Sequence, residues 1–170
     1  MVTLGTSHSV MRMGAVVPGD VNGLLNLYGL KIERLDEGVP IIGSFWGASE
    51  AGITGTSVYI RLDTPVHSFL HETCHLICMS PGIRATYSGD AGSDDSEEAA
   101  VCYLQILLAD SLSGVGRDRL MSDMDEWGYS FRCGSARGWF ENDAGDSRQW
   151  LRRYELIDAA DRPTHRLRSR

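Results

Sequence analysis

No stretch of the chain approaches the roughly 20 consecutive apolar residues that a membrane-crossing helix needs, so a membrane protein is not expected. There is no internal repeat, no low-complexity segment and no linker, and one domain is expected. Cysteine is scarce: Cys74, Cys78, Cys102 and Cys133, with no CxxC pair. That number and spacing do not suggest a small disulfide scaffold, and reduced, buried thiols are the expectation. A basic face is also missing. The net charge of -7 argues against nucleic acid as a direct partner, because phosphate binding needs positive charge. Residues 1–17 carry one early arginine and a short apolar patch at 13–17, too weak for a secretory signal. They read as a loose arm or a first strand, and the protein as cytoplasmic.

What is present is ordinary for a globular domain: 42% apolar and 23% charged residues over 170 positions. We divide the chain into an arm at 1–19, a single domain at 20–160 and a basic tail at 161–170. The tail carries Arg162, Arg166, Arg168 and Arg170 and reads first as a solvated end, or else as a docking tail for an acidic partner. Helix spacing predicts a helix over 20–30. Short strands are expected at 32–35 and 40–46, and alternation predicts another at 57–62. A helix follows, with Thr64 as N-cap and Pro65 at its first position, ending near Met79. Residues 83–92 read as loop. Further helices are expected at 95–113, 117–126 and 147–159, while 127–140 yields no assignment. The fold class is α+β: a small twisted sheet packed on the 64–79 helix and the helix after it, zincin-like.

That first helix contains His71-Glu72-Thr73-Cys74-His75, an HExxH motif. Residues four apart lie one above the other on a helix, so both imidazoles can reach one ion. Glu72 falls beside the metal rather than on it, where it can serve as general base to a metal-acidified water. Zinc is the expected cofactor, and hydrolysis of a peptide or protein substrate the expected activity. Two other readings stay open: a non-catalytic zinc-binding regulatory module, and a zinc hydrolase of a non-peptide amide.

A catalytic zinc usually takes three protein ligands, and the extended HExxHxxGxxH pattern is missing. The next helix offers Glu97 and Glu98. Glu97 shares a stripe with Ala100, Val101, Leu104 and Leu108, the face expected to pack inward, so Glu97 is the favoured third ligand. Glu98, three after Asp95, has a plainer role in a capping-box-like pair. His67 reads as a hydrogen-bonded core or rim residue, or as a supporting group. Cys74 and Cys78 read as buried apolar residues. Tyr87, Arg84, Tyr129 and His165 are all candidates to stabilise an oxyanion. The loop at 81–93 is expected to border the entrance.

Residues 71–75, a gap of about twenty, and then Glu97-Glu98-Ala99-Ala100-Val101-Cys102-Tyr103-Leu104-Gln105-Ile106-Leu107-Leu108 resemble the ImmA/IrrE family of zinc metallopeptidases. The resemblance covers residues 20–110. It implies a gluzincin-like site with His71, His75 and Glu97 on zinc and Glu72 as base, in a bacterial or phage protein. Its substrate would be a regulatory protein such as a transcriptional repressor. Val101 stands where that family has asparagine, and Ala109-Asp110 where it has proline.

Overall fold

The computed structural model describes residues 10–44, 47, 49–87 and 94–170. Its elements run α1 Pro18–Leu27, β1 Lys31–Arg34, β2 Gly52–Thr54, β3 Ser57–Ile60, α2 Val66–Cys78, α3 Pro81–Thr86, α4 Asp95–Leu108, α5 Gly116–Trp127, α6 Ala136–Asn142 and α7 Gly145–Arg153. The fold is α+β, with seven helices and one small mixed sheet among the described residues.

The sheet order is β1-β3-β2. β1 runs parallel to β3 with Ile32 opposite Val58, and β2 runs antiparallel to it with Ile53 opposite Val58. Val58 and Ile60 alternate with half-buried Ser57 and Tyr59, so one face of β3 joins the core. Gly52 is constrained by contact: a Cβ there would collide with the Ile42 carbonyl. Residues 40–44 form turns rather than the expected strand, and Phe45 and Trp46 lie outside the described residues.

α2 passes through the centre. Val66, Phe69, Leu70, Cys74, Leu76, Ile77 and Cys78 are fully buried along it. Burying a Phe or Leu side chain contributes about 1.5–3 kcal/mol, so this run alone explains why the helix is held centrally. Its start differs from expectation. Pro65, not Thr64, is the N-cap, because the Thr64 hydroxyl accepts from the Arg61 N–H at 2.9 Å and closes the turn after β3. α4 lies alongside α2 and is likewise buried from Ala100 to Leu108.

Two segments read as peripheral are packed. Val10, Met13 and Val16 are buried, and the Met13 N–H donates to the Thr64 carbonyl at 2.8 Å, so residues 10–17 are not a loose arm. In the basic tail, the Arg168 N–H donates to the Ile77 carbonyl at 2.9 Å at the end of α2. α3 occupies part of the expected 83–92 loop, with Pro81 at its first turn; positions 88–92 lie outside the described residues. The unassigned 127–140 segment holds a Gly128 cap at φ 110° and the start of α6, capped by Ser135. The expected 147–159 helix is shorter, ending at Arg153.

Candidate metal and catalytic site

His71 and His75, one turn apart on α2, turn to the same side, with their Nε2 atoms 3.1 Å apart. α4 supplies the third group, and it is Glu98. Its Oε1 lies 2.9 Å from His71 Nε2 and its Oε2 3.1 Å from His75 Nε2. Glu97, favoured from sequence as the third ligand, points elsewhere: its Oε1 accepts from Arg168 Nη1 at 3.1 Å. The start of α4 also differs from expectation. Asp94, not Asp95, is the N-cap, and its carboxylate accepts from the Glu97 N–H at 2.8 Å. Glu98 therefore is not needed at the cap. One residue along a helix is a rotation of about 100°, which carries Glu97 away from the histidines and brings Glu98 onto them.

Gln105, unremarked in the sequence, completes the arrangement. It follows Glu98 by seven on α4 and so returns to the same stripe, with Cys102 between them. Its amide nitrogen donates to the His67 carbonyl at 3.1 Å. A carbonyl only accepts, so this contact turns the amide oxygen toward His71, 2.8 Å from Nδ1. Nδ1 then donates to the Gln105 oxygen, and Nε2 is the ring nitrogen turned toward Glu98. The signal that could have found Gln105 was its spacing from Glu98, since a buried amide on a ligand stripe needs a partner.

The electrostatics follow from burial and from these contacts. Burial alone would raise the Glu98 carboxyl, yet the hydrogen bonds from His71 and His75 hold it well below the usual carboxylate range. Burial pushes the Glu72 carboxyl up, with His75 and His71 opposing. Burial is also the main cause that lowers His67 to about 3, with the His71 charge adding to it. His67 is thus a neutral ring, with Nδ1 3.1 Å from the Tyr129 hydroxyl. Burial likewise pushes the Tyr129 hydroxyl up to about 12.

A cavity of about 500 Å³ opens beside these groups, lined by Glu50, Ser68, His71, Glu72, Glu98 and Trp127, with Ser49, Gly128 and Tyr129 completing it. None of residues 81–87 lines it, so the described part of the expected entrance loop does not border this cavity. Arg84 is occupied elsewhere, donating to the carbonyls of Leu76, Met79 and Arg168. His165 packs edge-on to Tyr28. Of the candidate oxyanion donors, Tyr129 is the one brought to the cavity. Cys74 and Cys78 are fully buried.

Among the described residues, two groups of side chains have ligand atoms within 4.8 Å of one another and could hold a metal ion: His71, Glu72 and His75, and His71, Glu98 and Cys102. The chain matches no family model, no curated protein and no solved structure in comparisons with known proteins.

Proposed function

We propose that the protein is a zinc-dependent peptidase, with His71, His75 and Glu98 holding the metal and Glu72 acting as base. The convergence of two imidazole Nε2 atoms and one carboxylate carries this reading. Ligand atoms about 2.0–2.1 Å from one tetrahedral zinc lie roughly 3.3 Å apart. Here the two imidazole nitrogens are 3.1 Å apart, and each faces a different oxygen of the Glu98 carboxylate, at 2.9 and 3.1 Å, with nitrogen and oxygen donors that suit zinc. When bound, zinc supplies a Lewis acid that polarises a carbonyl and lowers the pKa of water toward about 7.

The chain's own residues do the remaining work. Glu72 lines the cavity, with a carboxylate oxygen within 4.8 Å of the ligand atoms of both histidines. Its raised carboxyl is suited to take a proton from the attacking water and to deliver it to the departing amine. Gln105 fixes the His71 ring and its tautomer. In this reading Tyr129, which lines the cavity and lies against His67, would donate its hydroxyl proton in a hydrogen bond to the substrate carbonyl oxygen. A regulatory protein as substrate rests on the resemblance to the ImmA/IrrE family alone, whose register begins at Glu97 rather than at Glu98.

A specific observation favours a second reading. Cys102 stands with His71 and Glu98 in one ligand-capable group. A thiolate in a fourth position would close the metal and leave a structural site. The Glu72→Gln variant separates the readings. A peptidase keeps about one zinc per chain by elemental analysis and loses roughly 100- to 10,000-fold in hydrolysis of a fluorogenic peptide library. A structural module shows no hydrolysis before or after the change. Folded protein that has been offered zinc and retains none overturns both.

A further inference from the structure

A second cavity, of about 240 Å³, shares Glu98 with the first and takes no part in the proposed chemistry. One stripe of α4 forms a wall of it. Asp95, Glu98, Ala99 and Cys102 line it, and their spacing of three, four and seven puts them on one helix face. Ala99 is small and half-buried, so the stripe leaves room beside the Glu98 carboxylate. The segment after α5 forms another wall. Gly128 and Tyr129 line the first cavity, and the next residues, Ser130, Phe131 and Arg132, line the second. The Tyr129 and Phe131 rings lie 6.4 Å apart with their planes 10° from parallel, and Phe131 stacks on Trp139 of α6 at 4.9 Å. The His71 ring is 5.8 Å from that of Tyr129, so a rank of rings leads from the histidines into the second cavity. Its charged groups are already answered or lie in solvent. Arg132 pairs with Asp143, Glu98 with both histidines, and Asp95 is exposed. What remains is an apolar surface of Ala99, Cys102, Phe131 and Trp139.

We propose that this cavity is a specificity subsite that receives one apolar side chain of the peptide, of leucine or phenylalanine size, flanking the bond to be cut. This deepens the peptidase reading and rests on it for that bond. The occupant is a residue of the substrate because the cavity shares with the first both the Glu98 carboxylate and the wall that carries Tyr129. Cavities that enclose a whole small-molecule ligand run to roughly 300–1,000 Å³, so the smaller space here suits a single side chain. Burying an apolar side chain against the Phe131 and Trp139 rings strengthens binding by on the order of 10- to 100-fold. A polar side chain placed there gives up its hydrogen bonds to water.

Trp139 lines this cavity and Trp127 the first, so two indole resonances report the two cavities separately. The zinc-loaded full chain is titrated with N-acetyl-glycine, N-acetyl-leucine and N-acetyl-asparagine hydroxamates, whose hydroxamate group is the metal anchor. The indole ¹H–¹⁵N resonances are followed, assigned by their loss in Trp127→Phe and Trp139→Phe. We expect the leucine probe to bind about 10-fold or more tightly than either of the others and to move the Trp139 resonance. Ala99→Leu keeps a good helix former on α4 and fills the space, so it should abolish that advantage while the glycine probe binds as before. Equal affinity for the leucine and glycine probes, or a Trp139 resonance unmoved at saturation, overturns the subsite. That comparison uses only the native chain and stands even if Ala99→Leu does not fold. Leucine-selective binding with no peptide hydrolysis supports the subsite and defeats the peptidase reading. Hydrolysis with no preference for an apolar residue beside the cut bond does the reverse.

Discussion

Gln105 and His71 are joined by a 2.8 Å contact between the amide oxygen and Nδ1, and this bond decides which ring nitrogen faces the cluster. Because the Gln105 amide nitrogen is committed to the His67 carbonyl, the amide cannot turn over without breaking both contacts. His71 is therefore locked with Nε2 toward Glu98, as a ligand would need to be.

Replacement of Gln105 follows directly from that lock. Gln105→Ala frees the His71 ring and is expected to weaken zinc binding by about 10- to 100-fold, the usual effect of losing a supporting hydrogen bond. Competition with a coloured chelator measures it. Unchanged affinity would show that the ring is oriented by packing alone.

The two adjacent glutamates should behave differently. Glu98→Ala is expected to reduce zinc content far below one per chain, whereas Glu97→Ala should retain the metal and lose stability instead. Elemental analysis beside thermal melting separates them. Zinc lost from the Glu97 variant and kept by the Glu98 variant would contradict the geometry described here.

Arg168 pairs with Glu97 where both side chains are largely buried, at 16% and 11% exposure. Removing one partner of such a pair costs about 3–5 kcal/mol, because the other is left buried without its counter-charge. Arg168→Ala should therefore unfold at markedly lower denaturant, and Glu97→Gln in the same chain should recover part of the loss. Denaturant titration of the single and double variants provides the measurement. Additive losses would show that the pair is not coupled.

A pH effect is expected at Asp20, remote from the cluster. The Ser113 N–H donates to its carboxylate at 2.9 Å, and that bond lowers its pKa. A depressed carboxyl stabilises the fold fully above its unfolded value, about 3.9, and the contribution disappears as the pH falls through the lower folded value. The gap in melting temperature between the native chain and Asp20→Ala should be constant at neutral pH and narrow below about pH 4. A gap that widens with acid would reverse the sign and refute the assignment.

The sequence revealed the site unevenly, for physical reasons. α2 was legible because HExxH and a 3.6-residue apolar period coincide in one segment. β3 was legible from simple alternation. The choice between Glu97 and Glu98 failed because α4 is buried at every position from Ala100 to Leu108, so its apolar pattern does not say which face meets α2, and adjacent residues point about 100° apart. Glu97 did prove buried, as its stripe implied, but what answers it is Arg168 rather than a ligand position. Glu50 and Trp127 were missed because they belong to a turn and a helix end without periodicity. α3 was missed because its six residues are too few to show an apolar face.

The bond from Arg168 to Glu97 spans 71 positions of chain. During synthesis, α2 and α4 leave the ribosome well before the residue that neutralises the carboxylate between them. A nascent chain halted after Arg153 holds Glu98 and both histidines but lacks Arg168, the partner of Glu97. On the proposed reading, the α2–α4 pair gains the counter-charge of Glu97 only once residue 168 is in place. Chains stalled before and after that point should differ in protease resistance across α4, and equal resistance would show that the helices settle without it.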